Sequence, residues 1–474
     1  FEELIQKYLL DNTHGSIVII RPEKGRTARM DRELAERLKE YKESLSEEEV
    51  KELVKATKEL EAYQEEESSQ EQLEKIPVLS RADISREIAP VFNDEIDADG
   101  VKVIHHNVET NGIGYVSLMF DLSGIEEELL PYTGILQSVL GIIDTTNYEY
   151  GELFNEINVN TGGIGTSLEL YTDVTRVKEK EFRATFEIRG KALYPKMNVL
   201  FSMMREILME SRLEDEKRLK EILAMLKSRL QMSFLSSGHT TAVLRALSYT
   251  SPVAKFKDDT DGIGLYEKVK EIEEDFDGCK EELIRSLKEI ARRIFRVDNM
   301  MMSYTSSREG LEPALDALAA VKGSLNAGGE ADHTACVIHC TKRNEGFKTS
   351  SKVQYVARCG NFIDGGQEYT GALQILKVIL SYDYLWQNIR VKGGAYGCMS
   401  NFNRAGEGYL VSYRDPNLEK TVEVYEGVVD YLKNFTVDDR DMNKFIIGTM
   451  SNLDRPMNPA AKGQLSMSAW FTKQ

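Results

Sequence analysis

No apolar run in this sequence reaches the roughly 18 residues that a membrane-spanning helix needs, so no membrane partner is expected. Cysteine is sparse as well. The five present, Cys279, Cys336, Cys340, Cys359 and Cys398, are odd in number and irregularly spaced. That usage fits reduced thiols in a cytosol-like compartment better than a disulfide framework, and a cytoplasmic location is expected. Positive charge is short too: 60 Lys and Arg against 78 Asp and Glu leave a net charge of −18. Nucleic acid is therefore not an expected partner, because binding it needs basic side chains to displace counterions from phosphates. The acidic balance suits cationic peptides, although solubility alone accounts for it. Neither a phosphate-cradling glycine loop nor a Gly-x-Ser-x-Gly nucleophile elbow occurs. The first residues, Phe1-Glu2-Glu3-Leu4, lack an initiator Met and a basic leader, so the chain is read as the interior of a longer protein.

What is present fits a globular protein of more than one domain. The 474 residues are 41% hydrophobic and 29% charged, too long a chain for one core. Residues 1–27 contain a β-branched run, Ser16-Ile17-Val18-Ile19-Ile20, ended by Arg21-Pro22. It reads as one strand, which cannot fold alone, so this segment is expected to be the tail of an upstream domain. Residues 28–90 are strongly charged and helical. Met30, Leu34, Leu38, Tyr41 and Leu45 recur at helical spacing, as do Val50, Leu53, Val54, Thr57 and Leu60. Between the two series Ser46 and Glu49 form a capping box, with Leu45 and Val50 placed as its hydrophobic staple. The segment is expected to be a solvated helical hairpin linker.

The remainder looks like two copies of one unit. In the first, a helix ending near Val159 runs into Thr161-Gly162-Gly163, then strands over 164–171 and 182–188. A helix follows from about Leu193, and another after Leu213-Glu214-Asp215. In the second, a helix over 372–389 runs into Lys392-Gly393-Gly394, then strands over 398–403 and 408–413. A helix follows from about Asn417, and another after Val437-Asp438-Asp439. The glycine pairs are offset by 393 − 162 = 231 residues and the acidic helix starts by 438 − 214 = 224. The chain is therefore expected to be α+β, with tandem homologous domains over 91–325 and 326–474. On this offset the second copy is truncated, its sheet or helical cover is incomplete, and a marginal or rearranged C-terminus is expected.

The second glycine pair stands in the run Arg390-Val391-Lys392-Gly393-Gly394-Ala395-Tyr396-Gly397. Glycine accepts positive φ and has no Cβ, so this turn lets the backbone approach a ligand closely. Arg390 and Tyr396, on either side of the turn, could both present donors to a peptide carbonyl. The other reading makes Arg390 a helix C-terminal cap and Tyr396 a core side chain. The first copy keeps the glycines but has neither Arg nor Tyr at the matching places, which favours a role beyond the shared fold.

This run resembles the C-terminal-half active-site motif of the presequence-protease branch of the insulinase-type (pitrilysin) zinc metallopeptidases. The hairpin before Ile76-Pro77 and Asp83-Ile84, the Thr110-Asn111-Gly112-Ile113 opening of the first domain and Leu453-Asp454-Arg455-Pro456 are similar as well. The resemblance implies insulinase-like (metallohydrolase-like) α/β sandwich domains, in an enzyme whose two halves close like a clamshell around a peptide. It implies zinc held by the N-terminal half on an inverted His-x-x-Glu-His helix, with none bound by this chain. It assigns Arg390 and Tyr396 as active-site donors, and Gly393, Gly394 and Ala395 as the substrate-shaping turn. The partners implied are the chain's own N-terminal half and unstructured peptides, and the fragment alone is expected to be inactive.

The histidines agree with that division. None of His14, His105, His106, His239, His333 and His339 lies in His-x-x-Glu-His. His105-His106-Asn107-Val108-Glu109 has the wrong order and falls between a strand (101–104) and an Asn-Gly turn. Cys336, His339 and Cys340 on a strand would not share one face, and core or edge-strand residues are the better account of them. The alternative function, of a different class, is a non-catalytic scaffold or partner subunit of the same fold, in which Arg390 and Tyr396 are incidental.

Overall fold

In the computed structural model all residues are described except 67, 86, 327–332, 335 and 336, and the chain divides into two compact units, Phe1–Val78 and Leu79–Gln474. The first unit is helical. Its elements are α1 (Glu2–Ile5), which runs on into a π-helical turn, α2 (Arg26–Ser44), α3 (Glu47–Glu65) and α4 (Gln70–Glu74). The capping box forms as expected. The Glu49 N–H donates to Ser46 Oγ at 3.3 Å, and the Ser46 N–H donates to the Glu49 carboxylate at 2.8 Å. The Ser46 N–H and hydroxyl, both donating to the Glu49 carboxylate, hold that carboxyl below its ordinary pKa. The apolar stripes of α2 and α3 remain about half exposed. Residues 16–20 do not form the expected strand. A lone extended segment has no neighbour to take its N–H and C=O groups, and Ile17 to Ile20 stay open to solvent.

The second unit contains two sheets. Strands β1 (Asp94–Ala98), β2 (Val101–Asn107), β3 (Ile113–Asp121), β4 (Ile164–Thr172), β5 (Phe182–Leu193) and β6 (Met300–Ser306) pair in the order β1-β2-β6-β3-β5-β4. Only the β2–β6 pair is parallel. Strands β7 (Ala357–Asn361), β8 (Gly397–Phe402) and β9 (Glu407–Tyr413) form an antiparallel sheet with β9 in the middle. Strand alternation gives the larger sheet two distinct faces. Val116, Leu118, Phe120, Phe186, Ile188, Met302 and Tyr304 enter the main core. They meet helices α5 (Leu130–Val139), α6 (Tyr150–Asn160), α7 (Met197–Met209), α8 (Glu216–Ser236), α10 (Pro252–Asp261), α11 (Ile263–Glu274), α12 (Phe276–Ile294) and α13 (Leu311–Lys322). Between α8 and α10 lies α9 (Gly238–Ser248), and the second copy supplies α14 (Ala372–Ile379), α15 (Glu419–Asn434), α16 (Asp439–Leu453) and α17 (Pro459–Thr472).

The two acidic helix starts are working N-caps: Asp215 accepts from the Arg218 N–H and Asp438 from the Asp441 N–H. The helix after each crosses to the other copy's sheet. Helix α9 lies on β7 and β9, and α17 lies on β2, β4 and β6. The offsets, 438 − 215 = 223 and 459 − 238 = 221, lie near the 224 read between the acidic helix starts. Far from being loose, the C-terminal helix is anchored. Met467 and Phe471 pack with Ile104 and Met119, and the Tyr171 and Phe471 rings stack at 4.2 Å. The Phe92 N–H donates to Ser466 Oγ at 3.0 Å, and Trp470 Nε1 donates to Glu95 at 2.7 Å.

Three local expectations change. Strand β5 runs on to Leu193 across Gly190, whose bare Cα admits the Leu200 and Met204 side chains, so α7 begins only at Met197. His105 and His106 belong to β2 itself rather than to a connection after it. His339 and Cys340 lie outside any strand, while Cys336 falls outside the described residues.

Candidate functional site: the turn between α14 and β8

Helix α14 does not stop at Ile379 but continues as a π-helical stretch, Leu380–Val391. Its buried residues Leu380, Leu385 and Ile389 are five and four apart, spacing that suits N–H bonds reaching back five residues. Leu385, Ile389, Ala395 and Cys398 share a small core with Val356 and Tyr425. The helix end and the strand start are thereby pinned to the same floor, and the turn bridges them.

The turn itself is a left-handed cap. Gly394 takes φ 77° and its N–H donates to the Arg390 carbonyl at 2.9 Å, while the Ala395 N–H reaches the Ile389 carbonyl at 3.0 Å. Gly393 is there for space. A Cβ on it would sit 2.5 Å from the Ile389 carbonyl oxygen, and its own carbonyl accepts from Asn417 Nδ2 at 2.6 Å. Ala395 is buried beneath.

Arg390 and Tyr396 emerge together from this frame. The Arg390 guanidinium lies 4.3 Å from the Trp386 ring centroid and 5.5 Å from that of Tyr396, and its Nη1 donates to the Tyr396 carbonyl. Tyr396 is 64% exposed, so the core-packing alternative does not hold for it. Its hydroxyl has no partner among the described residues, and neither do the remaining Arg390 N–H groups. Trp386 and Tyr413, whose ring lies 5.6 Å from that of Tyr396, belong to this surface and were not identified from the sequence. Trp386 is four residues before Arg390 on the helix, a spacing that could have revealed it. Tyr413 could not have been found from spacing.

Other reactive groups nearby are quiet. Burial pushes the Cys398 thiol up to about 12, against the opposing pull of Arg390. The buried Asp415 accepts from the Asn417 N–H at 2.9 Å and from Thr421 Oγ1 at 2.7 Å. The matching turn of the first copy has Val159 and Gly165 where the second has Arg390 and Tyr396 (390 − 231 = 159, 396 − 231 = 165). A recess of about 300 Å³ opens there between Gly162, Gly163, Lys191 and α17. The carboxylate on its floor, Glu187, is 1% exposed and already engaged. It accepts from Ser117 at 2.7 Å, Tyr171 at 2.9 Å, Thr185 at 3.0 Å and Arg189 at 2.8 Å.

The described residues do not fit a zinc site. Among the described residues no group of three or more His, Cys, Asp or Glu is arranged to hold a metal ion. His105 Nε2 lies 3.1 Å from Ser306 Oγ. His106 uses both ring nitrogens, Nδ1 at 2.6 Å from the Phe92 carbonyl and Nε2 at 2.9 Å from Ser303 Oγ. Burial holds both rings below their ordinary pKa. No helix among the described residues is long and apolar enough to cross a membrane.

Comparison with known proteins places the chain. The sequence model of the family described as Peptidase M16 (subfamily C) associated matches residues 20–272, and that of the PreP C-terminal domain matches residues 344–473. The chain belongs to the presequence-protease branch of the M16 peptidases. This presequence-protease-type chain is 37% identical over 472 residues to Protein HypA of Clostridium perfringens, covering 100% of itself and 48% of that protein. It is 29% identical over 468 residues to Presequence protease 1, chloroplastic/mitochondrial, of Arabidopsis thaliana, covering 98% of itself and 43% of that protein. The chain thus spans about half the length of the curated relatives it matches. Its fold is similar to that in the crystal structure of a peptidase M16 inactive domain from Pseudomonas fluorescens. There the TM-score is 0.51 at 13% identity, over 80% of this chain and 88% of that one. Family and α+β fold both stand as the Arg390–Gly397 motif implied.

Proposed function

We propose that this chain is the substrate-enclosing C-terminal half of a zinc-dependent endopeptidase that degrades short unstructured peptides. In this reading residues 28–90 link it to its N-terminal half, residues 1–27 end an upstream domain, and 91–325 and 326–474 are its two homologous domains. Zinc is assigned to the other half, because no described residues of this one fit it. The observation that carries the reading is the pairing of Arg390 with an exposed Tyr396 on a pinned glycine turn, present in only one of the two copies.

The chemistry follows from the donor set. Peptide hydrolysis builds negative charge on the scissile carbonyl oxygen, and a donor already aimed at that point lowers the barrier. The Tyr396 hydroxyl is a neutral O–H donor with no competing bond among the described residues. Arg390 offers several N–H groups in a fixed plane, one of them used to hold the Tyr396 backbone. The glycines and Ala395 let an extended peptide approach that edge. Cleavage of a quenched fluorescent peptide tests the reading, by this chain alone and after mixing with the separately expressed N-terminal half. Silence alone and turnover on mixing is the expected result. Silence in both, with the halves shown to bind, contradicts it and leaves a non-catalytic scaffold.

A further inference from the structure

Tyr396 stands in the turn just before β8, and little beyond Arg390 holds its ring in place among the described residues. The side chain is exposed and its hydroxyl unbonded among the described residues, and apart from Arg390 its ring contact is Tyr413, edge-to-face at 5.6 Å and 74°. The Tyr396 N–H donates to the Tyr413 carbonyl at 3.1 Å and the Arg414 carbonyl at 3.3 Å. Arg414 takes φ 49°, a left-handed conformation that costs a non-glycine residue energy and persists where surroundings enforce it.

Tyr413, the residue before Arg414, is packed by the first copy. His239 meets the Tyr413 ring edge-to-face at 4.8 Å and 73°, and lies 6.4 Å from Tyr355, which is 5.7 Å from Tyr413. The Tyr413 hydroxyl donates to the Ser236 carbonyl at 3.4 Å and the Tyr355 hydroxyl to the Leu235 carbonyl. Leu235 and Ser236 end α8, where carbonyls have no partner within the helix, so two tyrosines of the second copy serve as its cap. Gly238 opens α9 so close to the Tyr355 ring that any Cβ would collide with it. His239 Nδ1 is buried without a hydrogen-bond partner. Such an atom costs stability, a sign that this position was not settled by packing alone.

We infer that His239 and Tyr413 are positioning residues for Tyr396: the α8–α9 corner of the first copy sets the geometry of a donor carried by the second. This rests on the reading of Tyr396 as an active-site donor. The ring contacts form a chain, His239 to Tyr413 to Tyr396, and edge-to-face pairs have preferred geometries that resist sliding. Loss of either link lets the phenol swing on an open surface, and the donor is then misplaced when charge develops.

The test uses the full-length protein and measures kcat and KM on a quenched fluorescent peptide, with thermal unfolding as a folding check. His239→Ala and Tyr413→Leu each lower kcat about tenfold and leave KM within about twofold. His239→Phe and Tyr413→Phe, which keep the rings, stay near wild type, and they decide the matter if a smaller variant fails to fold. In a Tyr396→Phe background the effects of His239→Ala and Tyr413→Leu disappear, because the hydroxyl they position is gone. A slowed Tyr396→Phe combined with unslowed, or fully additive, His239→Ala overturns the positioning role alone. Unaltered turnover in Tyr396→Phe overturns the donor role and this inference with it.

Discussion

Replacing Gly393 with alanine asks whether the turn is built for close approach or merely tolerates glycine. The new Cβ would lie 2.5 Å from the Ile389 carbonyl oxygen and 3.0 Å from that of Asn388. Both obstacles are backbone, and Ile389 is buried in the small core, so neither can swing aside. The turn has to shift, at a cost of about 2 kcal/mol by analogy with overpacked cores. The shift also pulls the Gly393 carbonyl from Asn417 and moves Tyr396 relative to Arg390. The first copy supplies the control. A Cβ on Gly162 would meet the Lys191 side chain, whose Cε and Cγ lie 2.6 Å away on an exposed, flexible stem. Gly162→Ala is therefore expected to cost under about 0.5 kcal/mol. Chemical denaturation of both variants gives the stability difference, and turnover of the full-length protein gives the functional one. Gly393→Ala is expected to lose about a hundredfold in turnover, the scale of an ångström's misplacement. Equal stability costs at the two glycines, or full activity in Gly393→Ala, would refute the steric reasoning.

Two further outcomes follow from buried polar groups. Glu187→Gln removes a charge that accepts from four donors. Arg189 is 34% exposed and keeps Glu169 at 3.0 Å, so the expected loss of about 3 kcal/mol lies at the low end for a broken buried pair; a denaturation midpoint unchanged from wild type would show the network to be dispensable. The buried His106 is held neutral, with Nδ1–H donating to the Phe92 carbonyl and Nε2 accepting from Ser303, and its pKa lies below the ordinary 6.5. The unfolded chain takes up that proton first, so the stability contribution is full above about pH 6.5 and is lost as pH falls toward the folded value. Urea titrations from pH 7.5 to 5 should show falling stability, with a shallower fall in His106→Asn; an identical slope in the variant would exclude this ring as the source.

Much of the second copy could be read from the sequence because its signals are local. The Gly393-Gly394 pair, the Asp438 cap and the strands β8 and β9 each act within a few residues, and the structure places them within about two residues of expectation. The π-helical bonding of 380–391 was not legible, since the same apolar spacing serves an α-helix. Nor was the crossing of α9 and α17, whose amphipathic patterns show that a face is buried but not against which sheet. His239 looked like an isolated histidine, because its contact with Tyr413 joins residues 413 − 239 = 174 positions apart. The run at 16–20 shows the reverse case, in which strong β propensity without a neighbouring strand leaves the chain unpaired.

The central claim is that this half supplies donors to an active site completed elsewhere. Single-turnover cleavage of a quenched fluorescent peptide by full-length protein, wild type against Tyr396→Phe, tests it most directly. The variant keeps the ring, its contact with Tyr413 and the Arg390 bond to the backbone, and removes only a hydroxyl that no described residue of this chain engages. A fall of about a hundredfold or more in the chemical step, with folding and peptide binding unchanged, is the predicted result. Turnover equal to wild type would contradict the account and leave the turn as architecture alone.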